Sequence, residues 1–442
     1  MLLRRQSAPQ IRRDSGSALV FKATSEMAYK TEGRAEQCER NLYFPSTLRK
    51  NAFLVKMPRV TGTYERTTVA GEEVAAFIPR PLPPVDPPLA LDETARALLR
   101  SAEEALGRLD LARGMVPSLD WFIYGFVRKE AVVSSQIEGT QATLVDLLAF
   151  EAQEEASASA DVQDVCNYVD ALNFARGELA NENGLPLSMR LLNQTHARLM
   201  SGVRGADKLP GEVRRSQNWV GGSRPGNAAF VPSPPQALPE ALSAFEKYMH
   251  AEDELPPLVR AGLLHVQFET IHPYLDGNGR IGRLLVTLLL EQWGLLSAPL
   301  LYLSLFFKRH QAEYYRRLAA VRTDGDWEGW TRFFLEAVTT IATEAVQNAR
   351  DLSTRVSKDR GQVLAAPSSS VMAARLFEML PSHPIVTIAG AMNLLSTTRP
   401  TATKAVTSLV ESGVLAETSG KRRDRTFGYA AYLELLRVGT DL

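Results

Sequence analysis

A glycine- and arginine-rich turn set between two apolar helical runs constrains this chain more than any other segment. Helical patterning covers Pro257–Ile271 and resumes from Gly279 to Trp293. Between them Pro273 stops the first helix at His272, because proline removes an amide donor and clashes with the preceding turn. Glycines 277, 279 and 282 let the backbone turn sharply and approach a ligand without side-chain obstruction. The helix that follows brings unpaired amides and a positive dipole end to this turn, a ready anion site suited to phosphates. Arg280 and Arg283, spaced i, i+3, put two permanent charges on one face. Asp276 is the one acid in an otherwise anion-seeking loop, which makes sense if it holds a divalent cation bridging phosphates. A neutral His272 beside them is suited to take the proton of an attacking hydroxyl. Each piece alone has an ordinary reading: a core histidine, a glycine turn, a solvated arginine face. Their conjunction in one short loop favours chemistry on a phosphate chain. It is not a Walker loop, because the Gly-Lys-Ser/Thr ending is missing.

The bulk numbers exclude several alternatives. Basic and acidic residues balance at 50 each, so no global field advertises nucleic acid or an anionic membrane. Cys38 and Cys166 sit in no CxxC or Cys/His cluster, which argues against a disulfide framework or structural zinc and for a cytoplasmic location. The longest apolar run, Leu284 to Leu296, is broken by Glu291 and Gln292 and reads as a buried helix, not a membrane span.

Five segments follow from the patterning. Residues 1–56 are Arg- and Ser-rich with little periodicity and read as a disordered extension, without the apolar core of a secretory signal. Residues 57–155 open with the Pro-rich stretch Thr61 to Pro88, expected as an extended arm, and continue as helix from Asp92 to about Ala149, with breaks near Gly114 and Pro117. Residues 156–356 form the predicted helical core, interrupted between Gly202 and Pro235 by turn residues around two short strands, Asn218–Val220 and Ala228–Val231. A linker is expected over 357–370. Residues 371–442 read as three helices, Val371–Leu380, Thr387–Leu395 and Arg399–Ser412, followed by strands at Gly413–Leu415 and Thr426–Tyr429. That is the order of a winged helix-turn-helix. The fold class is therefore mainly α, a helical bundle with a β-hairpin flap plus a C-terminal winged helix-turn-helix domain.

The sequence His272-Pro273-Tyr274-Leu275-Asp276-Gly277-Asn278-Gly279-Arg280-Ile281-Gly282-Arg283 resembles the signature of the Fic (filamentation induced by cAMP) family, His-Pro-Phe-x-Asp/Glu-Gly-Asn-Gly-Arg-x-x-Arg. Tyr274 replaces the usual Phe and keeps an aromatic anchor; every polar position is intact. The resemblance implies a protein adenylyltransferase that moves AMP from ATP to a Ser, Thr or Tyr hydroxyl. His272 would be the base and Asp276 the Mg²⁺ ligand. Asn278 and the amides of Gly277 and Gly279 would cradle the α-phosphate, Arg280 would meet the β- and Arg283 the γ-phosphate. It further implies ATP contacts at Glu269, Thr270, Ile271, Ile281 and Gly282, with Tyr314 and Tyr315 as candidate adenine contacts. The segment from Gly211 to Pro232 resembles the family's flap, which pins an extended piece of the target protein by strand addition. Self-modification and a homodimer stay open.

A second stretch, Ser134-Ser135-Gln136-Ile137-Glu138-Gly139-Thr140, resembles the family's Ser/Thr-x-x-x-Glu-Gly/Asn inhibitory motif. Ser134 and Glu138 stand one helical turn apart. Its position N-terminal to the core resembles the class II arrangement, in which the glutamate pairs with the second motif arginine, here Arg283, and displaces the γ-phosphate contact. Two other readings compete: removal of AMP or another transfer on the same scaffold, and a DNA-binding regulator that senses nucleotide. For the latter, Arg399, Thr401, Thr403, Lys404 and a wing tip at Lys421–Arg425 are the phosphate-contacting candidates.

Overall fold

The computed structural model describes residues 59–115, 118–153, 158–420 and 424–442, all within one unit that spans Met57–Leu442. The expected extension 1–56 and Lys421, Arg422 and Arg423 of the expected tip lie outside the described residues.

The Pro-rich arm begins as a hairpin instead. Strands β1 (Gly62–Val69) and β2 (Glu72–Pro79) pair antiparallel from Gly62↔Pro79 to Val69↔Glu72. Ala70 and Gly71 take positive φ, 49° and 84°, as a two-residue hairpin turn requires. The prolines that suggested an extended arm gather after β2, where no ladder amide is needed.

Helices α1 (Glu93–Ala112), α2 (Leu119–Ile137), α3 (Leu144–Glu151), α4 (Ala160–Ala180) and α5 (Met189–Leu199) follow. Serine and threonine caps explain their starts: Ser159 and Ser188 accept from Val162 and Leu191, and Thr143 forms a capping box with Asp146. After the flap come α6 (Leu238–His250), α7 (Pro257–Ile271) and α8 (Asn278–Gln292). In α7 nearly every residue from Leu258 to Ile271 is buried, so it is the central rod around which the others pack. Helices α9 (Ser304–Arg309), α10 (Gln311–Asp324) and α11 (Trp327–Ala365) close the bundle. Gly262 lets α11 come close: a Cβ there would stand 2.9 Å from the Phe334 ring, and Trp330 Nε1 donates to the Gly262 carbonyl at 2.8 Å.

Two expectations are corrected here. The flap has no strands; its pairing is the single bridge Val220↔Phe230, with a 3-10 turn at Pro225–Asn227. Gly221 and Gly222, both at positive φ, turn the chain before a ladder can extend. Its outer side continues into the hairpin, where Phe77 N–H donates to Val231 O at 3.0 Å. The expected linker 357–370 is helical as far as Ala365, because Asp359 and Val363 of α11 are buried. Asp359 accepts from Arg355 and from Tyr429 Oη, each at 2.7 Å.

The C-terminal part runs α12 (Val371–Met379), β3 (Ile385–Thr387), α13 (Ile388–Leu395), α14 (Arg399–Glu411), β4 (Ala416–Glu417), β5 (Thr426–Gly428) and α15 (Ala430–Leu436). The sheet order is β3-β5-β4, all antiparallel. The first expected strand lies later than Gly413–Leu415, because Val414 and Leu415 bond back to Leu409 and close α14. Strand β3 and helix α15 have no counterpart in the sequence reading. Beyond α15 the chain returns to α2, where Gln136 Nε2 donates to Thr440 O at 2.8 Å, and Lys308 Nζ bonds Gln136 Oε1 at 2.7 Å and Asp441 O at 2.5 Å. No helix among the described residues is long and apolar enough to cross a membrane.

Candidate active site

The turn from α7 into α8 is built around His272. It caps α7 with φ 53° and ψ 62°, a left-handed conformation that costs a side-chain-bearing residue roughly 1 kcal/mol. The surroundings hold it there: its N–H donates to Phe268 O, and its carbonyl accepts from Arg214 Nε, both at 2.9 Å. The imidazole Nδ1 lies 3.3 Å from the Glu269 carbonyl. A carbonyl only accepts, so the ring proton sits on Nδ1 and the Nε2 lone pair is left to take a proton. Burial, reinforced by the Arg214 charge, presses the His272 pKa down to about 4, so the ring is neutral at physiological pH.

The loop itself is pinned from inside. Tyr274 is fully buried, its hydroxyl donating to Asn193 Oδ1 at 2.8 Å and its ring stacked on His196 at 3.9 Å. His196 Nδ1 accepts from Gly211 N–H at 2.9 Å, so its proton is on Nε2, which donates to Asp276 O at 3.0 Å. That neutral tautomer ties the flap entrance to the loop, and burial holds the His196 pKa at about 4. Gly277 begins α8 at φ 75°. The amides of Asn278, Gly279 and Arg280 then lie in the first turn, where no intrahelical acceptor exists.

Both arginines converge on this helix end. Arg280 pairs with Asp164 of α4, whose other oxygen accepts from Thr140 at 3.0 Å. Arg283 donates through Nε to Ser134 Oγ at 2.9 Å, and through Nη2 to Ser134 O at 2.9 Å and Glu138 Oε1 at 2.8 Å. The Glu138 carboxylate lies against Gly279, so closely that a Cβ there would collide with Oε1. An anion thus already occupies the first turn of α8. Burial opposes the charge on Glu138, but Arg283, then Arg280 and His272, hold its pKa below the usual carboxylate range. Gly139, at φ 94°, ends the segment that delivers it.

Asp276 is the candidate metal ligand. Its carboxylate is 43% exposed, and Oδ1 accepts from Gly277 N–H at 2.6 Å. No group of three or more His, Cys, Asp or Glu that could hold a metal occurs among the described residues. A single exposed carboxylate beside an anion site fits Mg²⁺, which takes one or two carboxylates and completes its shell with phosphates and water.

The structure brings His272, Asp276, Gly277, Gly279, Gly282, Arg280, Arg283, Ser134, Glu138 and Gly139 together. Other expected contacts need correction. The Asn278 side chain is turned into the loop, bonding Tyr274 N and O at 2.8 Å each, so only its backbone faces the anion site. Thr270, Ile271 and Ile281 are buried, and Thr270 Oγ1 bonds Val266 O, because these positions lie on the core side of α7 and α8. Tyr314 is also inside, its hydroxyl on His265 Nε2 at 2.9 Å and its ring stacked on Phe307; Tyr315 is 46% exposed. Glu269 reaches the site next to Gly282, with Oε1 buried and unbonded among the described residues, and burial raises its pKa to about 7.

Sequence reasoning missed Arg214, His196 and Asp164, which hold the loop, the flap and Arg280. It also missed Glu130, which accepts from Ser304 N–H at 3.1 Å and anchors α2 one turn before Ser134. His196, Asp164 and Glu130 carry only the signal of an imidazole or a charge on a buried helix stripe, and Arg214 carries none, since it lies in the irregular entrance of the flap.

Fold and site together define a helical protein in which a glycine turn leads from a buried helix into an arginine-flanked helix N-terminus. The Fic/DOC family N-terminal profile matches residues 96–176 and the Fic/DOC family profile residues 186–290. The chain therefore carries a Fic/DOC family N-terminal domain and a Fic/DOC family domain over those residues. It is similar to Protein adenylyltransferase Fic of Culex quinquefasciatus, 28% identical over 255 residues, which are 55% of this chain and 48% of the relative. The Aedes aegypti protein of the same name is 30% identical over 169 residues, 38% of this chain and 30% of the relative. The chain thus spans about half or less of the length of these relatives. The crystal structure of a Fic family protein from Desulfovibrio desulfuricans G20 shares the fold, with TM-score 0.52 and 21% identity over 78% of this chain and 98% of that one.

Proposed function

We propose that this chain is a protein adenylyltransferase that moves AMP from ATP to a Ser, Thr or Tyr hydroxyl of a target protein, itself included, and that Glu138 restrains it. The observation that carries this reading is the His272 Nε2 lone pair beside a helix N-terminus that already holds a carboxylate. The hydroxyl oxygen attacks the α-phosphorus, the bond to the β-phosphate bridge breaks, pyrophosphate leaves, and the hydroxyl proton passes to His272 Nε2. Amides of Gly279 and Arg280 stabilise charge building on the α-phosphate. Arg280 serves the β-phosphate and Arg283 the γ-phosphate. Asp276 would hold Mg²⁺, which when bound neutralises phosphate charge. While Arg283 is paired with Glu138 it is withheld from the nucleotide, which leaves ATP misaligned.

The flap 211–232 receives the target as an added strand beside Val220 and Phe230. A cytoplasmic location belongs to the same reading. Incubation with ATP and Mg²⁺ followed by mass spectrometry tests it: a mass gain of one AMP on protein is expected, and a phosphate gain or none overturns it.

Residues 371–442 we read as a winged helix-turn-helix, with α14 as recognition helix. Arg399, Thr403 and Lys404 stand exposed along it. A gel shift whose affinity falls with added salt tests DNA binding by this part.

A further inference from the structure

At the entrance of the flap stands Arg214, 2% exposed, a buried cation whose every guanidinium hydrogen bond among the described residues ends on a backbone carbonyl. Nε donates to His272 O at 2.9 Å, Nη1 to Ser216 O at 3.2 Å and Nη2 to Ser233 O at 2.5 Å. Its own N–H donates to Pro273 O at 2.9 Å. Ser233 in turn donates from Oγ to Phe77 O at 3.1 Å, which carries the link into β2. One planar fork therefore joins the two ends of the flap to the turn that holds His272.

Burying a guanidinium without a carboxylate partner is costly, because carbonyl dipoles replace only part of its hydration. Burial brings its pKa down to about 10, still well above neutrality, so the charge is kept. Two consequences follow for the imidazole. The His272 carbonyl is held in the left-handed geometry that aims the ring, and a fixed positive charge beside the ring favours its neutral form. The other charged groups facing His272 are Glu138 from α2 and Arg322 from α10, and the backbone carbonyl of Glu269 accepts from its ring. The Glu269 carbonyl and then the Glu138 carboxylate raise its proton affinity, and Glu138 is the group expected to leave when the enzyme is released.

We propose that Arg214 is the positioning residue of this site, coupling the target-binding flap to the orientation of the base His272. This rests on the adenylyltransferase reading. Lysine cannot replace it, since a single ammonium does not span the planar fork to three carbonyls.

The test compares Arg214→Met and Arg214→Lys with the parent, all carrying Glu138→Gly. It reads kcat, KM for ATP, ATP affinity and the pH profile of AMP transfer. For Arg214→Met, kcat is expected to fall on the order of 100-fold, the loss that misplacing a reacting group by about 1 Å produces, with ATP affinity within about threefold. Its acid limb is expected to move up toward the ordinary histidine value. Arg214→Lys keeps the charge, so its limb stays low while kcat still falls. An unchanged kcat in either variant, or a drop confined to KM for ATP, overturns the inference. If Arg214→Met does not fold, Arg214→Lys alone decides by its kcat. Absence of any AMP transfer by the Glu138→Gly parent would instead sink the adenylyltransferase reading, and this inference with it.

Discussion

Glu138 at the end of α2 and Arg283 in the first turns of α8 meet at 2.8 Å although 145 positions separate them. The pair is mostly shielded, with the Arg283 side chain 3% and the Glu138 side chain 34% exposed. Arg283 also donates to Ser134 through Nε and Nη2, so three hydrogen bonds tie the guanidinium to α2 and its C-cap. A carboxylate in this position competes with any phosphate that needs the same guanidinium.

Removing that carboxylate should release the site. Glu138→Gly is expected to raise AMP incorporation by at least about tenfold, equivalent to ~1.4 kcal/mol of relieved competition. Labelling with α-labelled ATP measures it; incorporation equal to that of the unmodified chain would remove the brake.

The base should work over an unusually wide acid range. His272 acts only when deprotonated, and its folded pKa is lowered from 6.5 to about 4. Transfer in the Glu138→Gly chain should therefore stay level as pH falls from 7 toward 5 and drop as it passes about 4. A limb near 6.5 in the pH dependence of kcat would contradict the neutral buried imidazole. His272→Ala should abolish transfer while calorimetry still detects ATP binding.

Asp276 carries the only side-chain carboxylate between His272 and Arg283. Chelation of divalent metal is expected to stop transfer, and Asp276→Ala to lower it by about 10²–10³-fold even at high Mg²⁺, within the range for losing one electrostatic stabiliser. Thermal unfolding should be unaffected by chelator, because no structural metal cluster exists among the described residues.

Helix α2 is also held from the C-terminal side, through Gln136, Lys308 and the carbonyls of Thr440 and Asp441. Gly439 takes φ 84°, and a Cβ there would stand 2.8 Å from Leu305 Cδ1. Gly439→Val should dislodge this contact, speed amide exchange in the last turns of α2, and raise AMP incorporation several-fold. Faster exchange without any rise in incorporation would show that the contact does not bear on Glu138.

Local chemistry was legible from neighbouring residues. The end of α7 at His272, the sharp glycine turn after it and the i, i+3 arginines follow from Pro273 and the glycine spacing, and the structure has them there, whereas the left-handed conformation of His272 itself was not read from the sequence. Asn278 misled because its amide is equally able to bond its own loop, and the loop's need for an internal staple prevails. Tyr314 misled because an aromatic on a helix after the loop does not reveal which face it occupies. The hairpin of β1 and β2 was hidden by the prolines beyond it, and the expected flap strands shrink to one bridge because two glycines turn the chain between them.

By itself the sequence determined the turn: which residue ends α7, and that a second helix with free first-turn amides and two arginines i, i+3 apart follows the glycines. Those properties depend on residues within a few positions, whose sterics and hydrogen bonding are local. The tertiary structure alone decided that Arg214 crosses from the flap to His272, that Asp164 steadies Arg280, and that α2 lies near enough for Glu138 to reach Arg283. Such partnerships arise from how apolar helix faces pack around α7, and packing of that kind leaves no periodic trace in the charged residues it brings together.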